Sequence, residues 1–419
     1  MNTLLFSPAA YNLAETTRAI EIAKACRHDF DILFASYGGK FEHLITEAGF
    51  PMRHLTPQVT PEKADHLYKV DQGQAIGYFF TKTEVEEQVQ NELDLLRDVQ
   101  PLAVITGFNF SNSISCRVAG VPLIWLTQST WLFDILYKNG LATYPDMFDV
   151  PPLNWLPERW LTWLGVKSMA MTALIFRPFR QVAQAYGINQ LKTFTEWLTG
   201  DFNLLPEPAE FCGLDLPPSF HYIPPLIGKL DTPIPPEVQN IPHDKPIVYF
   251  AMGSSGQPAV IARIIEGFAG KPYRVIAPVR AHLEKVNHVH IPDNVIVTDW
   301  LPAHKVNPMA DISVIHGGIG TVMTACLAGK PVVGIAMMME QEANIDCLVR
   351  KGFAMRIRKN RFTPDRLCAA IDTLLADESA RQKAKAFQAV MEQWDDPDLI
   401  RRFFTAQFLH HEPVEVVHY

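Results

Sequence analysis

The chain has 419 residues, 48% hydrophobic and 20% charged, enough for two ordinary domains that each bury a core. Its formal net charge of -8, with no clustering of Lys and Arg, argues against a nucleic-acid surface. Six scattered cysteines, Cys26, Cys116, Cys212, Cys326, Cys347 and Cys368, form no CxxC pair. They point to reduced, packed thiols in a cytoplasmic protein rather than a disulfide frame or zinc site. No apolar run reaches about 18 residues without a charge, so no transmembrane helix is expected. The closest approach, Leu161 to Phe176, contains Lys167.

Thr3 to Phe6 reads as a buried strand rather than a signal peptide, and Ser7 to Tyr11 as a turn. Asn12 to Cys26 reads as a helix, with Asn12 and Glu15 at capping-box spacing. A strand at Asp31 to Ala35 and the Gly38-Gly39 turn complete a parallel βαβ unit. The alternation continues through a polar helix around Glu84 to Asp98, a strand at Leu102 to Thr106, a helix around Ser111 to Ala119 and a strand at Leu123 to Leu126. The first half is therefore a doubly wound sheet.

From Trp131 to Ala185, Trp131, Phe133, Tyr137, Trp155, Trp160, Trp163, Phe176 and Phe179 stand among Met and Leu. Such a stripe forms plain core, an apolar cleft wall, or a surface-lying amphipathic segment in peripheral contact with a membrane. The plain core is the default for aromatic residues at helical spacing. Lys and Arg do not build the basic face that the membrane reading favours. Between Pro206 and Pro246 lie eleven of the 32 prolines, which mark the domain boundary. The expected division is residues 1–225, a linker at 226–246, a second domain at 247–395, and a C-terminal helix and tail at 396–419 that returns to the first domain.

Strand-helix alternation then resumes at Ile247 to Ala251. The turn MGSSGQP contains Ser254 and Ser255 and precedes a helix from Ala259. Strands follow at Tyr273 to Ala277 and Val295 to Thr298. The stretch Asp311 to Ala336 reads as strand, glycine turn, helix and strand. Its glycines Gly317, Gly318 and Gly320 let a ligand approach the amides that open the helix near Thr321, where the positive helix end favours an anion. His316 enters from the strand end, where open α/β sheets place ligands. A plain glycine connection is the competing reading, but two such turns in one half strengthen the ligand reading. Trp300, in TDWLP, offers a plane for a base, and Glu340-Gln341 suits vicinal hydroxyls; a rim Trp and a solvated helix start are the plainer readings.

Together MGSS, DWLP, HGGIGT, GKPVVGIA and EQEAN resemble the family 1, UDP-glycosyltransferase-like, glycosyltransferases of GT-B fold. The match covers most of Pro246 to Arg358, and HYIPPLIG extends it loosely into the first half. The resemblance implies an α/β protein with two Rossmann-like doubly wound domains facing across a cleft. It implies an inverting hexosyl transfer without a metal or other cofactor, from a UDP or dTDP sugar to an apolar hydroxyl-bearing small molecule or lipid. Carried over, Trp300 stacks on the base and the Leu301 backbone reads its edge. His316, Gly318, Gly320 and Thr321, with Ser254 and Ser255 beside them, hold the diphosphate, and Glu340 and Gln341 bind the sugar.

Three positions depart from the family pattern. Thr324 replaces a ribose-binding Glu, which is compatible with a deoxyribose nucleotide. Asn12 stands at the catalytic His, where an amide cannot act as a base, and the orienting Asp falls near Thr106 and Gly107. Three explanations stand: Glu15 serves as base, the acceptor is acidic enough to need only positioning, or the donor is bound without efficient transfer. A nucleotide-sugar epimerase of the same fold and a non-catalytic sugar-nucleotide-binding partner protein are the alternative functions.

Overall fold

The structure, a computed structural model, describes residues 2–71, 75, 77–172, 174–228, 232–253, 256–396 and 398–410, with backbone alone at 169–172. The first sheet contains β1 (Thr3–Pro8), β2 (Asp31–Ser36), β3 (Met52–His54), β4 (Ala103–Gly107), β5 (Leu123–Leu126), β6 (Phe202–Leu205) and β7 (Phe220–Tyr222), in spatial order β3-β2-β1-β4-β5-β6-β7. The second contains β8 (Ile247–Ala251), β9 (Arg274–Ala277), β10 (Val295–Val297), β11 (Ile312–Ile315), β12 (Val332–Gly334) and β13 (Ala354–Arg356), in order β10-β9-β8-β11-β12-β13. All pairings within them are parallel. Helices cover both faces of such sheets, which is why β1, β4, β8 and β11 are buried throughout and are predominantly apolar.

Each sheet reverses strand order once, between β1 and β4 in the first and between β8 and β11 in the second. The registers Pro8–Gly107 and Ala251–Ile315 bring the carboxyl ends of those strand pairs level. A crevice opens at each reversal, because consecutive helices cross to opposite faces there. β1 runs on to Pro8, past the expected end at Phe6, because its pairing with β4 continues into the turn.

Part of the proline-rich segment is packed: a short helix at Pro236–Gln239 buries Val238, and Val238 and Ile241 join Ile247, Tyr249 and Leu301 against the second sheet. The helix Asp398–Thr405 buries Ile400, Phe403 and Phe404 with Leu4, Phe6 and Phe30 of the first half. Arg401 grips both carboxylate oxygens of Asp29 at 2.6 and 3.0 Å, so Asp29 holds this helix in place. All six cysteines are free and buried.

A polar seam joins the halves beneath the cleft. Asp146 accepts from Arg358 at 2.8 Å and from the Lys359 amide at 2.8 Å, while its own amide donates to Glu342 at 2.9 Å. Arg356 lies within 4 Å of three carboxylates, Asp146, Glu342 and Asp346. Burial, then repulsion from Asp146, pushes the Glu342 carboxyl up to about 8, with Arg356 opposing. Arg356 and Arg358 offset the charge that these acids bring to the seam.

The aromatic stretch divides three ways. Phe176 and Phe179 are core, with Phe176 stacked on Trp197 at 5.5 Å. Trp131 and Phe133 face the cleft, and Trp155, Trp160 and Trp163 are exposed.

Candidate active site

Both strand reversals open onto one cleft of about 790 Å³. On the second-sheet side, Gly253 follows β8 and His316 follows β11, side by side. Gly253 has φ +55° and Gly317 φ +91°, left-handed conformations that favour glycine. A Cβ on Gly253 would stand 2.5 Å from the His316 ring, and one on Gly318 would also stand 2.5 Å from it. The imidazole is thus clasped between the two glycine turns. A Cβ on Gly320 would meet only open space, so the first turn of helix Ile319–Ala328 leaves its backbone open to the cleft. Gly318, the N-cap residue, supplies no side-chain cap, so the amides behind it keep their anion-binding capacity.

His316 is buried, and burial pushes its pKa down to about 4, aided by His282 and opposed by the Ala251 carbonyl. It is a neutral imidazole at physiological pH. Such a ring has a single N–H, which serves either the Ala251 carbonyl or a diphosphate that gains charge as it leaves.

Trp300 stands 54% exposed on the cleft wall beside buried Leu301. Gly318, Gly320, Thr321, Glu340 and Gln341 line the same wall. Two hydroxyls are already engaged: Thr321 donates to the Gly318 carbonyl at 2.7 Å, and Thr324 to the Gly320 carbonyl at 2.7 Å. The anion-binding capacity of Thr321 therefore lies in its backbone. Gln341 accepts from the Met337 amide at 2.9 Å, which fixes its orientation. Ser254 and Ser255 lie outside the described residues. Among the described residues no group of His, Cys, Asp and Glu is arranged to hold a metal ion.

Across the cleft, Asn12 caps helix Leu13–Cys26 by accepting from the Ala14 amide at 2.9 Å. The capping box is only half formed, because Glu15 turns away from the Asn12 backbone to pair with Arg18 at 2.7 Å. Its other oxygen, Oε2, is buried without a hydrogen-bond partner. A Cβ on Gly107 would stand 2.1 Å from that oxygen, so the carboxylate occupies the room left by the missing side chain at the end of β4. Burial raises the Glu15 pKa, with Arg18 opposing. Phe108, Trp131, Phe133, Ile175 and Phe194 provide the apolar wall beside it.

Arg280 and His282, which also line the cleft, carry no glycine signature in the sequence. The same strand-end logic finds them, since they follow β9, and His282 bonds the Gly253 carbonyl at 2.7 Å. Asn344 is a third missed residue. Fully buried, it donates to the Gly317 carbonyl at 2.9 Å and accepts from Thr130 at 2.7 Å, tying the glycine turn to the floor of the opposite half. Asn344→Ala should cost about 1–3 kcal/mol by leaving both partners buried and unmatched, read as a lower urea midpoint with unchanged slope.

Two doubly wound sheets whose switch points face across one cleft, one beside a helix end and one apolar, make the GT-B architecture. Residues 274–400 match the C-terminal domain of erythromycin biosynthesis protein CIII-like proteins. A PGL/p-HBAD biosynthesis glycosyltransferase of Mycobacterium tuberculosis is 26% identical over 400 residues, covering 91% of this chain and 87% of that protein. The glycotransferase of kitacinnamycin superposes with TM-score 0.69 at 18% identity, covering 97% and 98% of the two chains. Glycosyltransferase VinC, solved in complex with DTDP, gives 0.68 at 16% identity, covering 96% and 98%. The chain has the GT-B fold of these neighbours and is similar to glycosyltransferases over most of its length.

Proposed function

We propose that the protein is an inverting, metal-independent glycosyltransferase that moves a sugar from a dTDP or UDP donor to an apolar, hydroxyl-bearing small molecule or lipid. The observation that carries this reading is the single cleft joining the His316 cradle and Trp300 on one wall to the apolar wall and the Glu15 carboxylate on the other. The donor diphosphate sits at the Gly318 helix end with its base on Trp300. The acceptor oxygen bonds to the anomeric carbon from the Glu15 side while the bond to the diphosphate oxygen breaks. The acceptor proton passes to Glu15, and His316 with the helix amides takes up the charge of the departing diphosphate. Thr324, engaged with the Gly320 carbonyl, offers the ribose no carboxylate, which supports a deoxyribose donor. The neighbour solved with DTDP supports the donor class, and the mycobacterial relative supports a natural-product or glycolipid setting.

Calorimetric titration with dTDP, UDP and GDP tests the donor half. Binding of dTDP or UDP is expected to exceed that of GDP and to survive chelation of divalent metal. Trp300→Ala should weaken it about tenfold or more, as loss of base stacking does. Preferred GDP binding or a strict metal requirement overturns the assignment. Transfer to an acceptor panel tests the other half, with product stereochemistry deciding inversion.

A further inference from the structure

Trp155 is 79% exposed, and Trp160 and Trp163 lie beside it in the sequence with their rings 6.4 Å apart, also exposed. Tryptophan is seldom left so open on a soluble protein. Trp160, Trp163 and Lys167 share one face of helix Glu158–Thr172, which looks outward while Leu161 is buried. The helix cannot roll to hide that face, because Gly165 packs so closely on Pro145 that a Cβ would stand 2.5 Å from its ring.

The patch continues into the cleft. Met147 is 61% exposed and lines the cleft itself, while Leu174, equally exposed, immediately precedes the lining residues Ile175 and Phe176. Charge around the patch runs against the rest of the chain. Residues 147–187 contain two acids, Glu158 and the buried Asp149 that pairs with Arg361, against Arg159, Lys167, Arg177 and the partly buried Arg180, in a chain of net charge -8.

We propose that this tryptophan face docks the enzyme on an anionic lipid surface, so that the mouth of the acceptor cleft opens onto the bilayer. The inference rests on the reading of an apolar acceptor. Indole rings with an apolar body and a polar N–H settle at the headgroup level, and flanking Arg and Lys meet anionic phosphates there. A protein partner seated on the same face would cover Met147 and close the cleft mouth, whereas a bilayer delivers apolar molecules into it.

The test is co-sedimentation of the full chain with vesicles of phosphatidylcholine containing one quarter phosphatidylglycerol, compared with a Trp155→Gln/Trp160→Gln/Trp163→Gln variant. The parent should partition onto them about tenfold or more better than the variant, with indole emission shifted to the blue. Titration with dTDP in the absence of vesicles should be the same for both, which shows that the variant is folded and keeps the donor reading separate from the docking reading. Parent protein left in the supernatant, equal sedimentation of the two, or a parent dimer that the substitutions dissociate in sedimentation velocity overturns the proposal.

Discussion

His316→Ala should lower transfer about 10²- to 10³-fold, because it deletes a preorganised donor from the place where the departing diphosphate gains charge. The loss should fall on kcat and on kcat/KM alike, since the bond strengthens as charge develops and contributes less to ground-state affinity. Two controls separate chemistry from collapse. The unfolding transition of the variant should remain cooperative, as the ring is clasped by backbone and supports no large apolar cluster. Gly318→Ala keeps the imidazole but displaces it, since the added Cβ would begin 2.5 Å from Nε2 at a φ of -60° that alanine adopts without strain. It should weaken the diphosphate contact by moving the donor instead of removing it. Steady-state kinetics with a fixed acceptor decides: a Gly318→Ala variant indistinguishable from the parent shows that the position of the ring is unimportant, and the cradle assignment fails.

The two glycine turns were largely legible because their signals are local. A strand, glycines and a helix start are consecutive at His316 to Thr321, and the turn at Met252 repeats the pattern, so period and turn chemistry suffice to place both at strand ends. What the pattern could not convey is that Gly253 and Gly318 hold the same imidazole, which requires β8 and β11 to be neighbours. Asn344 was invisible for the same reason, as its two partners come from distant segments. The aromatic stretch shows a different limit. Spacing along a helix says which residues share a face, and only the contact of Gly165 with Pro145 says which face looks out.

Glu15 is where local logic misled, and its test has the second large expected effect. Spacing from Asn12 suggested a capping carboxylate, yet the side chain pairs with Arg18 and fills the space beside Gly107. A residue with a Cβ at Gly107 would expel it, so two positions far apart in sequence decide the role of one. If Glu15 takes the acceptor proton, Glu15→Gln should lower kcat/KM about 10²- to 10⁴-fold while dTDP affinity is unchanged. The amide is nearly isosteric, and its carbonyl oxygen can still accept from Arg18, so the helix should remain in place. The pH profile supplies the sharper reading. The active form is the carboxylate, and burial raises its pKa, so in the parent kcat/KM should climb with pH through a value above the ordinary 4.5 and then level off. His316, neutral above about 4, contributes no rise in the window above that value in the free enzyme. Glu15→Gln should therefore flatten the limb as well as lower it. Asn12→His in the Glu15→Gln background should restore part of the rate, with a new limb near the ordinary histidine range, because it returns a base to the same cleft wall one helical turn away. A Glu15→Gln variant that keeps both the parent rate and the parent limb would show that the acceptor is acidic enough to react once positioned, and that the cleft supplies orientation without a base.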